Sequence, residues 1–452
     1  MNEIAKNGQK QNIRLLAVKA LSDINRKDAY ANLILQDCIS KYNLSDLDRR
    51  FFTELVYGVV RRRNYLDAIM VHFAKRPIKK LSSMVVEILR LGIYQIIYMD
   101  KVPESAAVNE SVKLAKKLTR GLSGFVNAIL RSVIREQDSI GIEDLAANDI
   151  EAISFIYNIP LWLINLWISE FGRDKTEDLC AWFNEQPKLT ARINTILIDI
   201  PQCLTLLNEQ GWDVTQDTNY DDIIYINSHR GSLEKSEAVI NGYITFMDKA
   251  SMLVARLVNP QPGECILDCC AAPGVKSMYM AALMNNVGSL MSCDIHEHKI
   301  ELMNLNAERL GASIVHTKVQ DATKLPNSWN SYFDRVLVDA PCSGLGILQK
   351  KLDMRWRKQE SILSELPSLQ LAILERAAMT VKENGYLIYS TCTLNYKENE
   401  GVVESFLQKH KEFSIIPVAD DFPLKSNSGM ITTYPPIDDM DGFFMVKMQR
   451  IS

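Results

Sequence analysis

Through the first 140 residues, apolar side chains return every three to four positions, as in Ile13 to Val18, Phe51 to Tyr57, Val85 to Tyr94 and Phe125 to Val133. That period marks one face of an α-helix, so an all-α bundle is expected there. Ser45 or Asp46 is placed to cap the second long helix, and Pro103 separates the later ones. Residues 138–190 read as acidic and helical, and their aromatic run Pro160 to Ile168 reads as a helix packing between domains rather than as a base-stacking platform. The pattern then changes. Ala191 to Ile196 and Ile223 to Ile226 read as strands, and Cys203 to Gln210 as a helix, which makes a small α+β insert. From Gly242 strands and helices alternate, the signature of a doubly wound parallel sheet. Three domains are expected: 1–140, 141–240 and 241–452.

Composition adds a partner and a compartment. The chain of 452 residues is 47% hydrophobic and 23% charged, ordinary for a soluble globular protein. No apolar run approaches the roughly 18–20 residues needed to span a bilayer, and Met1 to Lys10 has no secretory core. A cytoplasmic protein without a membrane partner is expected. The net charge of −4 conceals an asymmetry: residues 1–140 hold 24 Lys and Arg against 14 Asp and Glu, the remainder 27 against 41. A basic module on an acidic body points to a polyanion. Lys113, Lys116, Lys117 and Arg120 fall on one helix face, and Arg61, Arg62 and Arg63 lie at a helix end. Such clusters suit RNA phosphates, with a solvated basic surface as the bland alternative. The nine cysteines form no repeating framework, which fits a reducing compartment. Cys265, Cys269 and Cys270 lack a second Cys or His pair at zinc-ligand spacing, so no metal is expected.

The chemistry concentrates at predicted strand ends. The strand Cys265 to Asp268 runs into Cys269-Cys270-Ala271-Ala272-Pro273-Gly274-Val275-Lys276 and then a helix, with Pro273 suited to its first turn. Only one glycine of a dinucleotide fingerprint is present, so a ligand without phosphates fits better, and S-adenosylmethionine is the common one. Asp294 ends the next strand, where a carboxylate can accept both ribose hydroxyls, and Asp321 is placed to reach the adenine edge. The fourth acid, Asp339, opens Asp339-Ala340-Pro341-Cys342-Ser343-Gly344, and a second cysteine sits in Ser390-Thr391-Cys392-Thr393. Each cysteine follows an apolar strand, so the two thiols can share one pocket and suggest thiolate chemistry on a nucleic-acid base. Arg355-Trp356-Arg357 could contact RNA, or Trp356 could anchor a loop on the sheet.

These motifs carry a resemblance. Residues 1–140 resemble the NusB-like RNA-binding domain through Arg14 and Ala17, Asp48 to Phe51, Pro103 to Val112 and Gly124 to Leu130. The middle piece is similar to RRM-like subdomains. Residues 240–450 resemble the Rossmann-like RNA cytosine-5 methyltransferases of the Sun/Fmu (RsmB) group through Asp268 to Lys276, Asp294, Asp321, Asp339 to Gly344, Tyr389 to Thr393, Glu398 to Glu400 and Asp441 to Phe444. Val275 departs from the glycine that many members carry. The resemblance implies S-adenosylmethionine bound by Cys270 to Lys276, Asp294, Asp321 and Asp339. It implies Cys392 as attacking thiol, Cys342 as release residue, Asp339 on the N3 edge of the base and Lys276 as supporting charge. The implied substrate is 16S rRNA, or a partly assembled small ribosomal subunit, handled by a monomer with no obligate protein partner. Two rivals stand: the same chemistry on tRNA or another rRNA site, and a non-catalytic RNA-binding ribosome-assembly or antitermination factor. An N-methyltransferase would want an Asn-Pro-Pro-Tyr-like segment where this chain has Asp339 to Cys342.

Overall fold

A computed structural model of the chain describes residues 11–26, 31–231, 233–426 and 428–451; the first ten residues, read above for a signal, lie outside them. The chain divides into two compact units, one running to Asn184 and taking in Lys351–Gln359, the other made of Glu185–Lys350 and Glu360 onward.

In the first unit the helices Ile13–Arg26, Ala31–Tyr42, Asp46–Ala74, Ser83–Tyr98, Glu104–Leu118 and Ser123–Glu136 form the bundle. The Ser45 hydroxyl accepts from Asp48 N at 3.2 Å and caps the third of these, and Pro103 precedes the fifth. Helix Ser83–Tyr98 is buried on all sides from Val85 to Ile96, which makes it the centre of the bundle. Glu87 and Arg90 are the charged residues at that centre; Arg90 holds the network together. It donates to both oxygens of Asp67 at 2.7 Å and to Glu87 at 2.8 Å. Removing one partner from such a buried pair costs about 3–5 kcal/mol.

Helices Asp149–Tyr157, Leu161–Phe171 and Arg173–Trp182 belong to the same unit. Trp167 is fully buried and stacks on Phe183 with ring centroids 5.5 Å apart, so the aromatic run serves this unit's core. Segment 351–359 also packs here. Arg355 is 1% exposed and donates to Phe183 O at 2.6 Å and Asn184 Oδ1 at 2.9 Å, satisfying carbonyl groups just past the helix Arg173–Trp182. Trp356 Nε1 donates to Val60 O at 2.9 Å. The expectation of Arg355 as an RNA contact is therefore corrected: its guanidinium is consumed inside the fold. Trp356 anchors on helical residues, not on the sheet.

The second unit holds two sheets. β1 (Leu189–Ile193), β2 (Asp213–Gln216), β3 (Ile223–Ser228) and β4 (Ile244–Phe246) form an antiparallel sheet in the order β2-β3-β1-β4. Its core of Cys203, Leu207, Trp212, Ile224 and Ile244 includes the helix Ile200–Glu209. The larger sheet contains β5 (Cys265–Asp268), β6 (Ser289–Asp294), β7 (Val315–Val319), β8 (Phe333–Asp339), β9 (Val381–Thr391), β10 (Phe413–Ile415), β11 (Met430–Thr432) and β12 (Phe444–Arg450). Its order is β10-β12-β9-β8-β5-β6-β7, with β11 beside β12. β5 to β9 are parallel, and β10, β11 and β12 join antiparallel.

Alternation along the central strands sends Ile266, Leu337 and Ile388 to one face, against helices Lys249–Val258 and Val275–Leu283. Leu267, Val336 and Leu387 go to the other, against Ile362–Ala378 and Glu400–Lys409. Cover on both faces is why these strands read as continuous apolar runs. The strand order reverses between β5 and β8, so the crevice beyond their carboxyl ends is where such a sheet places its ligand.

Candidate active site

Register brings the predicted residues together. β8 and β9 run parallel with Asp339 beside Ser390, which sets the two cysteine-bearing loops side by side. The Cys342 and Cys392 sulfurs lie 3.1 Å apart, and Cys392 N donates to Cys342 Sγ at 3.3 Å. Asp339 is fixed from two directions: Lys276 Nζ donates to its Oδ2 at 2.6 Å and Ser390 Oγ to its Oδ1 at 2.8 Å. Lys276 stands over the Phe443 ring at 5.4 Å. Burial opposes the charge on Lys276, but Asp339 and its other anionic neighbours outweigh burial and hold its pKa above the usual lysine value. The Cys392 thiol is pushed well up by its hydrogen bond with Cys342, by burial and by Asp339, while Lys276 acts the other way. The expected supporting charge is thus present, but here it is outweighed.

Backbone contacts lock both loops. Ala340 N donates to Ser390 O at 2.8 Å, Gly346 N to Cys392 O at 3.0 Å, and Gly442 N to Gly346 O at 2.9 Å. Gly346 and Gly442 cross so closely that a Cβ on Gly346 would stand 1.8 Å from Gly442 O. Lys350 closes the Cys342 loop by pairing with Asp248 and Asp441, the latter at 2.9 Å.

The loop expected to hold the cofactor leaves β5. Ala271 N donates to Cys293 O at 2.8 Å and Gly274 N to Ala271 O at 2.7 Å, which holds the turn against β6. Gly274 has φ +96, a conformation that favours glycine, and it starts the helix Val275–Leu283. Pro273 therefore lies in the loop before the helix and not in its first turn. Val275, the departure from the family pattern, is the first helical residue and packs on the apolar core. Cys270 is part-buried, and burial followed by the surrounding carboxylates pushes its thiol well up.

The donor set fits S-adenosylmethionine. Asp268 Oδ2 accepts from Ser277 Oγ at 2.7 Å, whereas its Oδ1 is buried with no hydrogen-bond partner. Burial pushes this carboxyl up to about 7, a cost that a cationic ligand would relieve. Asp294, ending the neighbouring strand, accepts from His296 N at 3.0 Å and lies 3.5 Å from Lys299. Asp321 accepts from Thr323 N and Oγ1 at 2.9 and 2.7 Å, so it caps a turn.

Sequence reading missed the support behind the thiols. Ser343, Thr393, Asn395 and Glu398 are fully buried and hydrogen-bonded to one another. Glu398 carried a signal, since it stands in one of the motif matches, but nothing in its neighbours announces its partners.

Among the basic residues of the first unit, Arg61, Arg62 and Arg63 lie inside the helix Asp46–Ala74 rather than at a helix end, and Arg120 lies beyond the helix Glu104–Leu118 that carries Lys113, Lys116 and Lys117. Arg61, Lys113, Lys116, Lys117 and Arg120 are exposed. Lys113 pairs with Glu110 at 2.7 Å. Arg62 lies over Tyr98 at 5.0 Å, and Arg63 donates to Asn25 at 2.8 Å and lies over Trp356 at 5.5 Å. Among the described residues no single helix is long and apolar enough to cross a membrane, and no group of three His, Cys, Asp or Glu is placed to hold a metal ion.

Three family profiles match successive parts of the chain: the NusB family over residues 11–135, the RsmF/B-like ferredoxin-like domain over 159–231, and the 16S rRNA methyltransferase RsmB/F over 255–449. The protein named "probable ribosomal RNA small subunit methyltransferase B" in Bacillus subtilis is 35% identical over 98% of this chain and 99% of its own. Its namesake in Synechocystis is 38% identical over 97% and 99%. The crystal structure of NSun6 from Pyrococcus horikoshii with SFG superposes at a TM-score of 0.58 and 20% identity over 64% of this chain and 97% of that one, which shows a shared fold. Identity at this level along nearly the whole chain leaves one conclusion: the protein belongs to the ribosomal RNA small subunit methyltransferase B family of S-adenosylmethionine-dependent rRNA methyltransferases.

Proposed function

We propose that the chain methylates carbon 5 of a cytosine in 16S rRNA, through a covalent bond between Cys392 and carbon 6 of the base. The observation that carries this reading is the pair of sulfurs 3.1 Å apart at the ends of adjacent strands, beside a carboxylate held by a lysine. Carbon 5 of cytosine is a weak nucleophile, and a thiolate added at carbon 6 converts the ring to an enamine that is not. S-adenosylmethionine supplies an electrophilic methyl group.

Cys392 must first lose a proton that its surroundings hold tightly. Asp339 is the nearby carboxylate able to take it and pass it to N3, which neutralises the ring as the carbon–sulfur bond forms. Lys276 holds Asp339 in place throughout. After carbon 5 has accepted the methyl group, its proton leaves with help from Cys342, the carbon–sulfur bond breaks and N3 returns its proton. Unstacking the base into the pocket costs a few kcal/mol, least in a single-stranded loop. The basic bundle is the reading's RNA holder, and the cytoplasm its compartment, with free rRNA or a partly assembled subunit as substrate.

The test is incubation with labelled S-adenosylmethionine and, in parallel, unmodified 16S rRNA or unmodified tRNA, then nucleoside analysis. Label in 5-methylcytidine is expected. Label in another nucleoside, or label transferred only to tRNA, would sink the proposal.

A further inference from the structure

Among the fully buried acids of the second unit, Glu398 stands out because its partners come from three separate elements. It is 0% exposed. Its Oε2 accepts from Ser343 N at 2.8 Å and from Gln370 Nε2 at 2.9 Å. Its Oε1 accepts from Ser343 Oγ at 2.5 Å and Asn395 Nδ2 at 2.9 Å. Ser343 follows Cys342 directly, Asn395 lies three residues after Cys392, and Gln370 sits on the helix Ile362–Ala378. Ser343 Oγ also meets Thr393 Oγ1 at 2.7 Å, and Gln370 Nε2 donates to Pro341 O at 3.0 Å. Both thiol loops and the peptide preceding Cys342 therefore close on one carboxylate. Tyr389 OH donates to Glu398 O at 2.6 Å, which ties that residue to β9 as well.

From this geometry we infer that Glu398 is a positioning residue that sets the Cys342 sulfur against the Cys392 sulfur, and thereby governs release of the methylated base. A carboxylate suits the role chemically. All four contacts are donors, and only an acceptor-only group satisfies four donors in a fully buried site. Glutamine has the same shape but would point an NH2 group at the two donors that face one of the oxygens, opening the joint without removing it. The inference rests on the proposed function for the release role of Cys342; the placement of the sulfur stands apart from it.

Two readouts separate those parts. Placement is measured by the rate at which diamide, a diazene oxidant that takes one hydrogen from each thiol, joins Cys342 and Cys392 as a disulfide, followed by peptide mass spectrometry. The wild-type protein should join them readily, and Glu398→Gln at least about tenfold more slowly. Release is measured on denaturing gels as persistence of the protein–RNA adduct in turnover with S-adenosylmethionine and 16S rRNA. Glu398→Gln should accumulate adduct as Cys342→Ala does, and the double variant should accumulate no more than Cys342→Ala alone. Cofactor affinity within twofold of wild type checks that the fold is intact. Ser343→Ala, which removes one donor and leaves the carboxylate, provides a second variant should Glu398→Gln fail to fold, and slows cross-linking by a smaller factor.

An unchanged cross-linking rate in both variants overturns the placement. Slower cross-linking with normal release overturns the link to turnover. If Cys342→Ala itself accumulates no adduct, the proposed function fails, while the cross-linking result still decides the placement.

Discussion

The two halves of the crevice are built differently. At the ends of β8 and β9, Asp339, Cys342, Ser390 and Cys392 are held by one another, and Ser343, Thr393, Asn395 and Glu398 back them with buried hydrogen bonds. At the ends of β6 and β7, Asp294 and Asp321 are tied to residues within five positions in sequence, Asp294 to His296 and Lys299 and Asp321 to Thr323 and Lys324. The contrast matches two tasks. Bond-making needs sulfur and carboxylate fixed before the base arrives, because misplacement by an ångström costs orders of magnitude in rate. Holding a cofactor needs acceptors at the correct strand ends, and local caps are enough to orient them. The reaction half should therefore fail abruptly on substitution and the cofactor half by degrees.

The largest break expected is Cys392→Ala, which should lower methyl transfer by a factor on the order of 10⁴ or more while RNA binding stays within twofold in filter binding; retained turnover would show that another group attacks. Cys342→Ala should let the first half of the cycle proceed and stall the second, seen as a covalent protein–RNA band under turnover. In the cofactor half, Asp294→Ala should weaken S-adenosylmethionine by about 1.5–3 kcal/mol, roughly ten- to a hundredfold in Kd by calorimetry, with little change in turnover at saturation. An equal loss of turnover at saturation would erase the distinction between the halves.

A smaller effect is expected from changing Lys113, Lys116, Lys117 and Arg120 to glutamine. Binding should weaken, and the slope of log K against log salt should flatten by about 0.7–0.9 for each phosphate that is no longer neutralised. An unaltered slope would remove this basic cluster from the RNA surface.

The smallest effect concerns Asp268, whose carboxyl is raised by burial to about 7. A raised carboxyl keeps its proton in the folded chain where the unfolded chain gives it up, so its contribution is greatest at low pH and is lost as pH rises through about 7. Asp268→Asn should flatten the decline of thermal stability across that window in the cofactor-free protein.

Much of this was legible in the chain. The ends of β5 and β6 fall where the apolar runs break at Asp268 and Asp294, because a parallel strand buried on both faces leaves a continuous apolar signal that stops at its terminal acid. The bundle was equally plain from its helical period. β2 and β4 were not, since Asp213–Gln216 is largely exposed and Ile244–Phe246 is three residues long, so neither shows alternation. Arg355 was misread for a different reason. It lies in the short segment Lys351–Gln359, which is flanked on both sides by residues of the second unit, whereas its partners, Phe183 and Asn184, lie far back along the chain. The support around Glu398 was hidden in the same way, because a buried polar network leaves no periodic trace.

The crossing of Gly346 and Gly442 has a consequence for how this chain tolerates variation. With a backbone oxygen 1.8 Å from where a side chain would begin, not even a methyl group fits at Gly346, and a Cβ on Gly442 would stand 2.8 Å from Leu394 and 3.0 Å from Gly346, too close without a shift of one or the other. A saturation scan blind to the structure would find these two positions, distant in sequence and free of any reactive group, as unforgiving as the cysteines, for want of space rather than for chemistry.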